Sequence, residues 1–262
     1  MGIIIDTKQE KQCIWVAAGV LNYKLCDRDF HCEHCPLDAA LRDTNASCHE
    51  EELVEMETRD VSFPEKDVIP EEIAPLLAPF YSVPVCQNAQ YSPHHVWIRP
   101  LPSGLIQCGI DAFAANLLPP EAQIVVVANN TELREGENFG WVYGGSHTIP
   151  LSAPVSGTVV CRNSKLHTTD DGLRTAPYRE GVIVTLSPAA GALAHARLSS
   201  PRNHARRIRK RVQQLTEGLT QQLASPAIGP CLNDGGVPVT TLAQFLGEEK
   251  YWSLLDRFIG GE

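Results

Sequence analysis

The stretch GGSHTIPLSAPVSGTVV, residues 144–160, decides how the middle of this chain folds. Pro154 fixes φ and Gly157 permits positive φ, so APVSG reads as a strand running into a tight turn. Downstream, TVVCRN and VIVTL alternate apolar and polar residues, as strands with one buried face do. Gly144 and Gly145 open the stretch with two residues that lack Cβ atoms, where backbone N–H groups can approach a ligand closely.

Working outward, HVWIRP, GLIQCGI, AQIVVVAN, GTVVCRN and GVIVTLSP are short β-branched runs bounded by Gly, Pro and Asn. They predict a small barrel or sandwich across residues 91–190. DAFAANLLP interrupts them as a short helix with Asp111 at its N-cap. Beyond Pro201, Ile208, Val212, Leu215, Leu219 and Leu223 keep helical spacing and give one apolar stripe over residues 201–223. A final helix is predicted near 239–259, after the turn NDGG, so residues 191–262 form a C-terminal helical segment.

The order and spacing of HVWIRP, CGIDAFAANLL, GENFGWV, APVSGTVVCRN and APYREGVIVTLSP resemble the H-protein of the glycine cleavage system. The resemblance covers roughly a third of the chain and implies a fold of class α+β. The expected architecture is a barrel-sandwich hybrid, lipoyl-domain-like, with an N-terminal Cys-rich helical head and C-terminal helices. In that family a lysine at the hairpin tip carries lipoate through an amide. Counting back eight residues from Pro154 places Ser146 at that position, and Tyr143 where the family has an acidic residue. A hydroxyl yields an ester and not the stable amide, and neither His147 nor Lys165 takes the lysine's place. The resemblance without its lysine therefore implies no lipoate, and the hairpin is expected to serve as an interaction platform or as a new ligand site at YGGSH.

Residues 1–50 hold Cys13, Cys26, Cys32 and Cys35 in the spacing C-x12-C-x5-C-x2-C. A C-x2-C loop lets two thiolates share one metal. Four sulfurs can hold Zn2+ or an iron–sulfur cluster, and the sequence leaves the two open. His31, His34, Cys48 and His49 are spare ligands. Pro36 suits the first turn of a following helix, whose N-terminus is expected to lower nearby thiol pKa values. A thiol redox switch and simple burial are the competing readings. Cys86, Cys108, Cys161 and Cys231 read as small buried hydrophobes.

Charge divides the chain unevenly around its net −9. Residues 50–72 hold ten acids against Arg59 and Lys66, and five prolines punctuate residues 51–90, so this region predicts an extended acidic linker. Residues 197–211 hold seven Arg or Lys and no acid. That basic helix reads as a solvated or intramolecular face, or as a docking face for a protein partner. The acidic total and a pI near 5.5 argue against nucleic acid, and the apolar stripe is a core stripe, not a membrane anchor. The N-terminus lacks the basic start and apolar run of a signal peptide, and no apolar run reaches membrane-helix length, which predicts a cytoplasmic protein. His94 and His95 precede the first barrel strand without a carboxylate in sequence reach, so neither reads as catalytic.

Together these features predict a non-enzymatic, non-lipoylated H-protein-like protein. Its expected role is binding, scaffolding or metal and redox sensing within a bacterial multiprotein assembly, with a partner held by the barrel domain or by helix 201–223. Two alternatives stand beside it: an iron–sulfur electron-transfer subunit, and an H-protein carrier modified in an unexpected way.

Overall fold

The computed structural model describes residues 12–17, 24–42, 57–63, 69–120, 122–145, 147–169, 172–223 and 239–259. Its centre is β, as the alternating runs require. A six-stranded antiparallel sheet has the order β3-β4-β5-β11-β10-β7, built from Gln90–Tyr91, Val96–Pro100, Ile106–Ile110, Val182–Pro188, Gly157–Arg162 and Glu132–Leu133. A three-stranded sheet, β6-β8-β9, is built from Gln123–Val126, Asn138–Gly144 and His147–Ser152. The two sheets share one hydrophobic core with Trp97, Phe113 and Phe139 at its centre.

Gly157 corrects one local expectation. It does not adopt positive φ, but a Cβ there would lie 2.5 Å from the Ser187 carbonyl oxygen on neighbouring β11. Close approach of two strands, not turn geometry, requires glycine at this position. Helix α4, Ala112–Leu117, is capped as expected: the Asp111 side chain accepts from Ala114 N at 2.8 Å.

The region expected as a linker differs most. Where it is described, it carries a β1-β2 hairpin, Thr58–Ser62 and Ser82–Cys86, with α3 (Ala74–Leu77) and a 3-10 turn between the strands. Ile73, Leu77, Phe80 and Val83 are buried in the common core. The prolines are compatible with this because Pro75 and Pro79 fall in first turns, where no donor is needed.

Helix α6 spans Pro201–Leu223 and buries Ile208, Val212, Leu215 and Leu219, as the stripe predicted. A short helix, α5 (Ala192–His195), precedes it. The last helix is two: α7, Leu242–Leu246, opens with a Thr241/Gln244 capping box, and α8 spans Glu248–Phe258. Gly247, at φ +79°, breaks them apart. The turn NDGG lies outside the described residues. Among the described residues no helix is long and apolar enough to cross a membrane.

The N-terminal head is helical only in part. Within residues 12–17 and 24–42 it holds α1 (Ile14–Ala17), a 3-10 turn (Cys32–His34) and α2 (Pro36–Arg42). The Trp15 indole N–H donates to the buried Asp38 carboxylate at 2.8 Å and ties α1 to α2.

Candidate functional site

Two sites follow from the sequence, the hairpin tip and the cysteine head, and the structure adds a third. Strands β8 and β9 pair as far as Gly144 opposite His147, and Gly145 turns the chain at φ +57°. Ser146 itself lies outside the described residues. Helix α8 packs beside its neighbours, leaving Gly145 exposed and His147 half-buried. The His147 ring stacks on Trp252 with centroids 4.8 Å apart and planes 10° from parallel. Glu248 Oε1 lies 3.8 Å from His147 Nδ1. A Cβ on Gly144 would sit 2.8 Å from the Trp252 ring, so glycine here admits an indole and not a free ligand. Tyr251 fastens the helix by donating from its hydroxyl to the Leu117 carbonyl at 2.7 Å.

In the head, Cys13, Cys26, Cys32 and Cys35 line one small cleft together with Trp15 and Asp38, but no three of them bring their sulfurs within 4.8 Å of one another, as a shared ion requires. Cys13 is buried and the other three are half-buried. The chain between Cys26 and Cys32 turns tightly, with Asp29 and Phe30 both at positive φ, and Phe30 N–H donates to Cys26 Sγ at 3.2 Å. Backbone strain of this kind concentrates where a ligand is held. The thiol of Cys32 is pushed up and not down, by desolvation and then by Asp38, Cys35, Cys26 and Cys13. His31 and His34 point outward, each near Glu33, at 3.7 and 3.6 Å. Cys48 and His49 lie outside the described residues, as does Cys231. Cys86 and Cys108 are buried as expected, while Cys161 is half-buried and disulfide-bonded, contrary to its reading as a small buried hydrophobe.

The head rests on the three-stranded sheet. Together they enclose a cavity of about 360 Å³, with Lys24, Asp27 and Cys35 on one side and Glu137 and Trp141 on the other. Tyr143 is buried, and its hydroxyl has no hydrogen-bond partner among the described residues. Burial raises its pKa, and Cys13, Cys35 and Asp27 raise it further, so the phenol faces the cysteine head.

The third cluster was not legible locally. His95 Nδ1 lies 2.7 Å from Asp111 Oδ2, and His204 Nε2, from α6, approaches the same oxygen to 2.9 Å. All three side chains are fully buried. His95 therefore has the carboxylate that its neighbours in sequence do not supply. The Arg207 guanidinium donates to His204 Nδ1 at 2.8 Å, which assigns the ring proton to Nε2, facing Asp111. Burial opposes charge on Asp111, but the His95 and His204 rings outweigh it and hold the carboxyl well below the usual range. Burial also lowers His204, against the pull of Asp111. With Tyr91 stacked on His204 at 3.7 Å, the cluster is a filled polar joint between α6 and the sheet. Its three ligand atoms lie within 4.8 Å of one another, close enough for a metal ion, and His95 Nε2 and His204 Nε2 have no well-aligned hydrogen-bond partner among the described residues.

A sequence profile of the family described as Glycine cleavage H-protein matches residues 89–211. The glycine cleavage system H protein of Opitutus terrae is 32% identical over 113 residues, which cover 43% of this chain and 89% of that relative. This chain belongs to the glycine cleavage H-protein family. The H protein of Synechococcus sp. is 32% identical over 100 residues, 38% of this chain and 76% of the relative. A crystal structure of the Mycobacterium marinum H protein aligns with 46% of this chain and 96% of its own, with a TM-score of 0.40 and 23% identity.

The H-protein match runs into the first half of α6, beyond residue 190, so the His95–Asp111–His204 joint lies wholly inside it. The cysteine head, the β1-β2 hairpin and the helices that pack beside the hairpin tip all lie outside it.

Proposed function

We propose that this H-protein family member has left carrier chemistry and works as a non-enzymatic binding or scaffold protein with a metal-holding head. The observation that carries the reading is at the hairpin tip. Where the resemblance places a lipoyl lysine the chain has Ser146, and α8 packs beside the tip, with Trp252 against Gly144 and His147 while Gly145 stays exposed. Ser146 offers no amine for an attached arm.

The four cysteines supply the second half. Cys13, Cys26, Cys32 and Cys35 line one cleft and Phe30 N–H donates to Cys26 Sγ, so a metal would draw the four sulfurs closer together than they stand in the free chain. Zn2+ held there would clasp a head whose described part buries few side chains. An iron–sulfur cluster would make the head an electron store, and the chain an electron-transfer or redox-sensing component of a bacterial assembly. A protein partner fits either form.

Native mass spectrometry on protein purified without oxygen, with elemental analysis of the same sample, tests both halves. The expected result is an unmodified polypeptide mass with one metal centre that disappears in the Cys32→Ser/Cys35→Ser variant. A lipoyl-sized mass increase would restore the carrier reading, and full-length protein without metal would remove the cysteine site. Brown colour with iron and sulfide selects the cluster, and a colourless zinc protein selects the clasp.

A further inference from the structure

A second surface lies away from the head and hairpin. Between the β1-β2 hairpin and the first half of α6 runs a cleft of about 650 Å³. Its floor is apolar, made by the buried Val61 and Val85 with Pro201 and Ala205. Four arginines stand around it: Arg59 from β1, and Arg202, Arg206 and Arg209 from successive turns of one α6 face. All four are exposed. The acid lining the cleft is Asp60, whose carboxylate already accepts from Ser82 Oγ at 2.9 Å.

Arg59, Arg202 and Arg209 make no ion pair among the described residues, and Arg206 reaches only the Asn203 amide oxygen, at 3.5 Å. Like charges one helical turn apart repel, so this row carries an electrostatic cost in the free protein. Their neighbours on the same helix are used differently. Arg207 bonds the Ser92 carbonyl and His204, and Arg211 lies over the Phe258 ring. The helix thus separates arginines that build the fold from arginines that face a cleft.

We propose that this cleft binds an acidic, extended peptide segment of a partner protein, its carboxylates paired with the arginines and its apolar side chains on the Val61–Val85 floor. Guanidinium forks match carboxylates in a bidentate way. The floor matches the alternate apolar side chains of an extended chain. A nucleic acid would satisfy the charge but leave the apolar floor unused, and no aromatic side chain lines the cleft for a base to stack on. This inference rests on the binding-protein reading and gives the partner its chemistry.

The test is fluorescence anisotropy of a labelled peptide of alternating Glu with Val or Leu, titrated with the full chain. Binding that weakens about tenfold in Arg206→Glu/Arg209→Glu, and also as salt rises, is expected. The exposed Lys165→Glu variant, away from the cleft, leaves it unchanged. Circular dichroism of the double variant checks that α6 is intact. Equal binding by the double variant, or no binding by the wild type, overturns the proposal. Tighter binding of a single-stranded oligonucleotide of equal charge overturns it in favour of nucleic acid. Binding that emerges only in the Glu50→Gln/Glu51→Gln/Glu52→Gln/Glu55→Gln variant makes this chain's own acidic run the occupant, and also overturns it. Failure of peptide binding beside an unmodified, metal-loaded mass removes the cleft and leaves the binding-protein reading standing.

Discussion

The joint at Asp111 and the cysteine head both gather polar side chains, yet they do so in opposite ways. At the joint, three fully buried side chains, from the bend before β4, the cap of α4 and α6, meet inside a large apolar core, although His95 Nε2 and His204 Nε2 lack a well-aligned hydrogen-bond partner among the described residues. In the described part of the head, a few short elements bury Cys13, Leu37 and Asp38, and four thiols line an open cleft. A large core can hold a polar cluster without outside help, whereas a small one draws on a cross-link, a metal or a neighbouring surface.

The largest break in that contrast is Asp111→Ala. It strips both histidines of their partner and removes the cap of α4, so we expect a loss of about 3–5 kcal/mol in urea unfolding. A loss below about 1 kcal/mol would mean that the joint is packed and not electrostatic.

Gly144→Ala comes next. Its new methyl meets the Trp252 ring and the Pro119 side chain, and we expect a cost of about 1–3 kcal/mol with faster proteolysis within residues 239–259. Unchanged proteolysis would show that α8 is not seated by the hairpin.

Removing the metal, or Cys32 and Cys35 together, sharpens the comparison from the other side. The β domain's unfolding midpoint should move by no more than about 0.5 kcal/mol, while residues 12–42 gain protease sensitivity. A large shift in the β domain would show that head and sheet fold as one unit.

The smallest effect is the pH dependence. His204 and Asp111 both have folded pKa values below their ordinary ones. The unfolded chain therefore takes up protons first, and stability that is full above about pH 6.5 falls as the pH drops below it. Burial raises Cys86 and Cys108, so the folded state holds their protons longer and stability declines above about pH 8.5. A midpoint that does not fall between pH 6.5 and 5 in the wild type, or that falls equally in His204→Gln, would remove His204 from this account.

Local sequence determined the parts whose reasons are local. Short β-branched runs between Gly, Pro and Asn named five of the strands, Asp111 announced its cap, and the stripe from Ile208 to Leu219 fixed the buried face of α6. That Ser146 stands eight residues before Pro154 is likewise a matter of residue order. Tertiary structure decided what depends on distant chain segments meeting. His95 and His204 stand far apart in sequence, and only the docking of α6 brings both to Asp111. Prolines that read as a linker became first turns of a packed segment because Ile73, Leu77, Phe80 and Val83 found a common core. The packing of Trp252 beside the hairpin tip belongs to the same class. Periodicity and spacing report how an element presents its own side chains, but which surface receives them is set by burial across the whole chain.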